Sequence, residues 1–445
     1  MAERLRRIYT LVLYLLTPLL LVRLALLGVR NRGYWERWRE RLLGFVPALP
    51  AAGPNLWVHA VSVGEAQAAS ALVRALRTRL PPITILVTTT TPTGAATVRR
   101  LFRDEVRHCY LPFDLPSALA RFIERARPAA LVIMETELWP NLLHCCRRAR
   151  IPVVIANARL SERSYSRYRH WPASVRGMLA AVTAVGAQSR ADAERFMALG
   201  AAESRVHVTG NIKFDVTAPG DLQDRALRLK QELAPGRRVW MAASTHEGEE
   251  AAVLSVFAVL HQRDPGLLLV LTPRHPDRFG KVFDLCRQRG FTTARRTAPS
   301  SQRPDVFLAD TMGELPLFYA LSEVAFVGGS LVAVGGHNPL EPAALGIPVV
   351  TGPHIFNFTE VYGFLTAAHA AWVVNDADEL LSRLLILLAD FDLRATAGRR
   401  AQAVVAENRG AVDRVMDILM PLLELPANQS ARIKADTPRY CSGAS

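Results

Sequence analysis

Glu65 is the first residue in this 445-residue chain whose type and place suggest chemistry. It ends the stretch His59-Ala60-Val61-Ser62-Val63-Gly64-Glu65, where the apolar run 56–61 gives way to a helical pattern. In a first helical turn a carboxylate is stabilised in its charged form, and an ionised carboxylate in a cleft can take a proton from a hydroxyl nucleophile. An ordinary helix-start glutamate is the competing reading. Glu135 and Glu137 follow the apolar run 130–134, where acidic groups are expensive to bury unless paired. Lys213, within Gly210-Asn211-Ile212-Lys213-Phe214-Asp215, and Arg159 lie beyond other apolar runs of the same half and can converge on them. Lys213 would balance charge on an acidic substrate or transition state, or else pair with Asp215 or Glu137. The hydroxyl-rich loop 88–94 could bind an anionic acceptor.

The second half carries a different set. Pro273-Arg274-His275 follows an apolar run, and Arg274 offers a bidentate fork to a phosphate. His275 can approach a substrate or serve as a satisfied structural histidine. Met312-Gly313-Glu314 again lies just past a run and can present N–H groups to a base or sugar. Gly328-Gly329-Ser330 ends the run 324–327 and leads to Gly335-Gly336-His337-Asn338-Pro339-Leu340-Glu341. Glycines there allow a tight turn and a close approach of backbone to ligand. Asn338 can cap the following helix and leave first-turn N–H groups to an anion. Glu341, three residues on, fits either a capping box or a carboxylate accepting two sugar hydroxyls. Ser244 or Thr245 would cap the acidic helix near residue 249.

These loops need a scaffold that collects strand ends. Runs at 56–61, 83–90, 130–134, 153–157, 181–187 and 206–209 alternate with helical segments at 66–80, 139–149 and 175–180. A second series starts at 239–243 and continues through 267–271, 306–308, 324–327 and 347–350, before helices at 380–388 and 396–419. Short apolar strands alternating with helices predict parallel sheets covered on both faces. The chain therefore reads as α/β, with two Rossmann-like domains and a crevice between them. The expected divisions are an anchor and basic segment over 1–50, a domain over 51–215 and a linker over 216–238. A second domain follows over 239–425, with a loose tail over 426–445.

Composition narrows the partners. There are 54 basic against 40 acidic residues, a formal charge of +14, which suits phosphorylated or acidic-lipid partners. Nothing resembles a zinc finger or an aromatic–basic stacking surface, so nucleic acid is not expected. The five cysteines form no Cys-x-x-Cys pair and point to a reducing compartment. Residues 9–28 are apolar except for Thr10, Thr17 and Arg23, about the length that spans a bilayer. Arginines flank them on both sides, with Trp35 and Trp38 beyond, as in a membrane anchor facing an acidic leaflet. No ATPase P-loop, no Gly-x-Gly-x-x-Gly after the first strand and no recognisable metal-ligand spacing occur.

The blocks HAVSVGE (59–65), TTTTPTG (88–94), METELWPN (134–141), ANARLSERS (156–164), GNIKFD (210–215), ASTHEGEE (243–250), PRHPDRF (273–279), DTMGEL (310–315) and FVGGSLVAVGGHNPLEP (326–342) stand in register. Together they resemble the 3-deoxy-D-manno-octulosonic acid (Kdo) transferases of lipopolysaccharide synthesis, bacterial inner-membrane glycosyltransferases of the GT-B fold. That resemblance implies CMP-Kdo as donor, with no other cofactor and no metal. It implies the phosphorylated, tetra-acylated lipid A precursor (lipid IVA) as acceptor, inversion at the anomeric carbon, and catalytic domains on the cytoplasmic side of the inner membrane against its acidic lipids. Glu65 would be the general base, and Glu135 and Lys213 would support the transition state. CMP would contact Pro273, Arg274, Met312, Gly313, Glu314, Asn338, Pro339, Leu340 and Glu341. A GT-B enzyme using another nucleotide sugar on a lipid precursor, or a non-catalytic lipid A-binding protein, are the alternatives.

Overall fold

A computed structural model describes residues 2–46, 49, 54–216, 220–298 and 303–423. The chain divides into two compact units, one from Met1–Asp215 with Arg409–Ser445 and the other from Val216–Asn408. The first holds a sheet of β1 (Asn55–His59), β2 (Thr84–Thr89), β3 (Arg107–Tyr110), β4 (Ala130–Met134), β5 (Val153–Ala158), β6 (Ala184–Ala187) and β7 (Val206–Val208). Its spatial order is β3-β2-β1-β4-β5-β6-β7, and every neighbouring pair is parallel. Val58 of β1 lies level with Val87 of β2 on one side and Val132 of β4 on the other.

Alternation within one strand builds the two layers. Leu56 and Val58 join Leu72, Val73 and Leu76 of the helix Val63–Arg79 on one face, while Trp57 joins Phe122 and Leu142 on the other. Both faces being covered, β1 is apolar along most of its length and buried throughout.

The second unit repeats the plan with β8 (Val239–Thr245), β9 (Leu268–Pro273), β10 (Thr293–Arg295), β11 (Val306–Leu308), β12 (Val324–Val327), β13 (Val349–Thr351) and β14 (Ala371–Val373). The order is β10-β11-β9-β8-β12-β13-β14, again parallel throughout. Leu269 and Leu271 pack into one core, Leu268 and Val270 into the other. In each sheet the first strand of the unit sits where strand order reverses, between β2 and β4 and between β9 and β12. Open parallel sheets bind ligands outside the carboxyl ends of strands at such a reversal.

Three expected boundaries move. The segment 31–46, assigned to a separate anchor, is tied to the first unit: Glu40 accepts from the Tyr110 N–H at 2.8 Å, and Arg41 donates to the Thr90 carbonyl at 2.6 Å. The expected linker contains the helix Leu222–Leu233, whose Leu222, Ala226 and Leu229 enter the second unit's core. The helical stretch expected over 396–419 breaks at Gly410, where φ is +87°, into Phe391–Asn408 and Ala411–Leu423. The last of these belongs to the first unit. Its Val415, Met416 and Leu419 pack with Leu72 and Leu76, and Asp215 accepts from the Gly410 and Val412 N–H groups, each at 2.6 Å. The expected tail lies outside the described residues.

Because Leu419 is fully buried in the first unit, Leu419→Ala should destabilise that unit by about 2–5 kcal/mol. Hydrogen exchange should accelerate in β1 and β4 and stay unchanged in β8 and β12. The opposite pattern would return this helix to the second unit.

Candidate active site

In the first unit Glu65 opens the helix Val63–Arg79 as half of a capping box. Its N–H donates to Ser62 Oγ at 3.3 Å, and Ser62 Oγ donates to Glu65 Oε1 at 3.0 Å. Glu65 Oε2 accepts from the Val61 N–H at 2.7 Å. The capping reading is thus present, and the carboxylate keeps unused lone pairs on both oxygens. The expectation of a readily ionised group gives way. Burial pushes its pKa up to about 7; the Val61 and Ser62 bonds oppose this, and the charges of Glu135 and Glu137 reinforce it. A pKa near neutrality is what general-base work at pH 7 requires.

Glu135 reaches this neighbourhood by a backbone turn. It stands directly after β4 with φ at +58°, a left-handed conformation costly for a residue with a Cβ, while its N–H donates to the Ala156 carbonyl at 2.9 Å. Its Oε1 lies 4.0 Å from Lys213 Nζ, and Asp215 caps the helix Ala411–Leu423. Glu137 is also held above the usual carboxylate range, by burial first and by the charge of Glu135 as well. Arg159 does not join them among the described residues: its side chain is exposed, and its carbonyl accepts from Thr136 Oγ1 at 2.5 Å.

Asn157 had no assigned role in the sequence. At the end of β5, with φ at +56°, its Oδ1 accepts from the Ile212 N–H at 3.0 Å, and its carbonyl accepts from Gln188 Nε2 at 2.9 Å. Asn211 Oδ1 accepts from the Lys213 N–H at 3.0 Å. These bonds fix the turn that presents Lys213. The signal in the sequence was an asparagine directly at a strand end, a residue type that tolerates left-handed backbone.

The threonine loop is committed internally. Thr88 Oγ1 serves Trp57 Nε1 at 2.8 Å and His59 Nδ1 at 2.9 Å, Thr89 contacts His108 Nε2 at 3.0 Å, and Thr91 caps the helix Pro92–Phe102. Burial holds the His59 ring neutral by lowering its pKa to about 4.

In the second unit the expected nucleotide residues stand at the carboxyl ends of β9, β11 and β12, three of four strands consecutive in the order β11-β9-β8-β12. The helix that follows the fourth, β8, supplies the residue that organises the loops. Glu249, fully buried, accepts from His246 and Gly329 N–H groups through Oε2 at 2.9 and 2.7 Å, and from Ser330 and Leu331 through Oε1 at 2.9 Å each. The anion held by the loop after β12 is therefore the chain's own carboxylate. The helix Glu249–Arg263 starts after Gly248, with φ at +95°, instead of being capped by Ser244 or Thr245, which end β8.

Around Arg274, whose N–H donates to the Thr245 carbonyl at 3.0 Å, three histidines gather. His246 and His337 lie nearly coplanar and hydrogen-bond through Nε2 atoms 2.8 Å apart, and His275 meets His246 edge-on at 5.2 Å between ring centroids. Burial, with Arg274 and the other rings adding, lowers the His337 pKa to about 3. His246 is lowered too, again by burial first. Asn338 Oδ1 accepts from the Leu340 N–H at 3.0 Å, and its amide donates to Glu341 Oε1 at 3.4 Å. Burial raises the Glu341 pKa, while Asn338 and Arg274 oppose the rise. Met312 is exposed and Gly313 has φ at +89°. The Glu314 carboxylate is engaged by Arg296 at 2.9 and 3.2 Å and by Thr311 at 2.6 Å, which holds it below the usual range.

Two parallel α/β units, each with its polar residues gathered at a strand reversal, define a GT-B architecture. The UDP-GlcNAc 2-epimerase of Neisseria meningitidis bound to UDP-GlcNAc shares it, with a TM-score of 0.54 over 82% of this chain and 100% of that one at 16% identity. A family profile for 3-deoxy-D-manno-octulosonic-acid transferase (kdotransferase) matches residues 36–216. The chain is 42% identical to the 3-deoxy-D-manno-octulosonic acid transferase of Haemophilus influenzae, over 94% of this chain and 99% of that one. It is 38% identical to the corresponding transferase of Bordetella pertussis, over 93% and 98%. It belongs to the Kdo transferase family and is a glycosyltransferase of lipopolysaccharide biosynthesis.

Removing the Glu249 carboxylate would strand the amide groups it now receives. In Glu249→Ala the second unit should lose about 3 kcal/mol or more, with slow exchange lost at the Gly329, Ser330 and Leu331 amides. Unchanged protection would mean the loop is held by other contacts.

Proposed function

We propose that the protein transfers Kdo from CMP-Kdo to a hydroxyl of the phosphorylated, tetra-acylated lipid A precursor, with inversion and without a metal. The observation that carries this reading is Glu65, a buried carboxylate with a pKa near 7 at the strand reversal of the first unit, beside the Glu135–Lys213 pair. Glu65 takes the proton from the acceptor hydroxyl. That oxygen forms a bond to the anomeric carbon of Kdo from the face opposite CMP, the bond from that carbon to the phosphate oxygen breaks, and the electron pair leaves with CMP. Attack from the opposite face inverts the centre.

The departing phosphate is already ionised and needs cationic and N–H partners rather than a proton. Arg274 supplies a guanidinium fork, and the loops at Pro273, Met312–Glu314 and Asn338–Glu341 take the rest of the nucleotide, with the Glu341 carboxylate on the ribose. Lys213, oriented by Glu135, balances the carboxylate that Kdo itself carries. The chain's positive charge and its apolar amino-terminal helix support work at the cytoplasmic face of the inner membrane, where the acceptor is an amphiphile bearing two phosphates.

Incubation with CMP-Kdo and the tetra-acylated precursor should give an acceptor heavier by one or more Kdo units, unaffected by a metal chelator. CMP should inhibit at concentrations where UDP does not. UDP inhibition with no Kdo adduct would favour a different nucleotide sugar. Glu65→Gln should lower turnover by about 10²–10⁴-fold with CMP affinity retained, the usual worth of general-base catalysis. Arg274→Ala should weaken CMP binding itself. Near-normal turnover in the Glu65 variant would remove it as the base and leave a binding protein, or another carboxylate, to consider.

A further inference from the structure

The helix Ala2–Arg30 is long and apolar enough to cross a bilayer, yet both of its ends are fastened to the same folded unit. At one end Arg6 Nη1 and Thr10 Oγ1 donate to Asn141 Oδ1 at 2.9 and 3.0 Å. Asn141 is completely buried and donates its own amide to the Asp114 carbonyl at 2.7 Å. The Tyr14 hydroxyl meets Ser117 Oγ at 3.0 Å. At the other end Trp35 Nε1 donates back to the Ala25 carbonyl at 3.0 Å. Arg37 then reaches the His108 carbonyl at 2.6 Å, and Glu40 and Arg41 hold Tyr110 and Thr90. Asn141, Asp114, His108, Tyr110 and Thr90 all belong to the first unit. A helix of 29 residues is about 43 Å long, enough to put its ends on opposite sides of a membrane only if one end lets go of that unit.

Its surface fits a different placement. Leu13, Thr17, Leu20, Leu24 and Leu27 form a partly buried stripe at helical spacing along the face turned to the unit. The opposite stripe, Leu11, Leu15, Leu19, Val22, Leu26 and Val29, is exposed by 56–71%. A helix apolar all round is ordinarily buried or membrane-spanning. Here one apolar face has the protein, and the other is open. Exposed arginines at 4, 7, 23, 30, 32 and 39, with exposed Trp35 and Trp38, frame that open face. Cations and tryptophans beside an apolar stripe match the phosphates and acyl boundary of one anionic leaflet.

We infer that this helix lies in the plane of one leaflet, sunk to the headgroup–acyl boundary along its 11–29 stripe, with both ends on the side of the folded units. This rests on the membrane attachment proposed above and specifies its geometry. The last residue of the 134–141 motif then has a use outside the reaction, since Asn141 holds the helix against the body. It also sets the first unit flat on the surface from which an amphiphilic acceptor must be drawn.

Two arms test it, in a background of Cys145→Ser and Cys441→Ser that retains the buried Cys109, Cys146 and Cys286. In sealed inverted inner-membrane vesicles, an impermeant maleimide should label Arg4→Cys and Arg32→Cys to the same extent, with no gain when detergent opens the vesicles. Labelling of one before detergent and the other only after it overturns the inference. In phosphatidylethanolamine–phosphatidylglycerol vesicles, a fluorophore on Leu19→Cys should be quenched more by nitroxide lipids labelled near the headgroup than at the acyl end. Stronger quenching from the acyl end would place the helix midpoint at the bilayer centre and contradict it. Protein recovered wholly in the supernatant of either preparation would overturn the membrane attachment as well.

Discussion

The reversal of strand order in each sheet is the constraint on which the rest depends. Where β1 meets β4, and where β8 meets β12, successive crossover helices leave to opposite faces and a gap opens above the strand ends. Each unit places a glutamate there, in the first turn of the helix following its first strand: Glu65 in one, Glu249 in the other. The loops around the gaps take their shapes from what these carboxylates accept.

The same position is used in opposite ways. Glu249 has four backbone N–H groups directed at its two oxygens, two to each. A carboxylate so surrounded is a structural anion, and it fixes Gly329, Ser330 and Leu331 across a gap of about eighty residues in sequence. Among the described residues Glu65 has the Val61 N–H and the Ser62 hydroxyl as donors, with two further carboxylates close enough to oppose its charge. Burial first, with few donors and negative neighbours beside it, leaves it reluctant to ionise, so its proton can come and go near neutral pH. Two of the histidines do not compete for that role, because burial lowers the pKa of His59 to about 4 and of His337 to about 3, well below the range in which Glu65 titrates.

Much of this was legible in the sequence, for physical reasons that also explain the rest. Ala130–Met134, Val306–Leu308 and Val324–Val327 were delimited correctly because interior strands buried on both faces read as unbroken apolar runs. Arg107–Tyr110, Thr293–Arg295 and Ala371–Val373 were missed. All three are edge strands with one side unpaired, and the first two are rich in polar residues. The helix Ala411–Leu423 was placed in the wrong unit because its apolar stripe names no partner; Asp215, 195 residues earlier, supplies the cap that recruits it. Glu65, Glu135 and Lys213 were found as types at strand ends; the first two meet because β1 and β4 are neighbours, whereas Lys213, beyond the edge strand β7, approaches Glu135 through the turn tied to Asn157. What local pattern could not show is the allocation of N–H groups. The threonines of 88–94 and the glycines of 328–329 looked available to ligands, but the threonines serve the chain's own groups, the Gly328 N–H donates to the Ala243 carbonyl and the Gly329 N–H to Glu249.

Tuning of Glu65 by its acidic neighbours is the central claim, and the pH dependence of kcat/KM with CMP-Kdo and the lipid acceptor tests it most directly. The base acts deprotonated, so the rate should climb as pH rises through about 7 and level off above it. Because the negative charge of Glu137 helps hold that pKa up, Glu137→Gln should move the climb to lower pH while preserving the plateau shape. A climb that stays in place in Glu137→Gln, or one that persists unchanged in Glu65→Gln, would contradict the account.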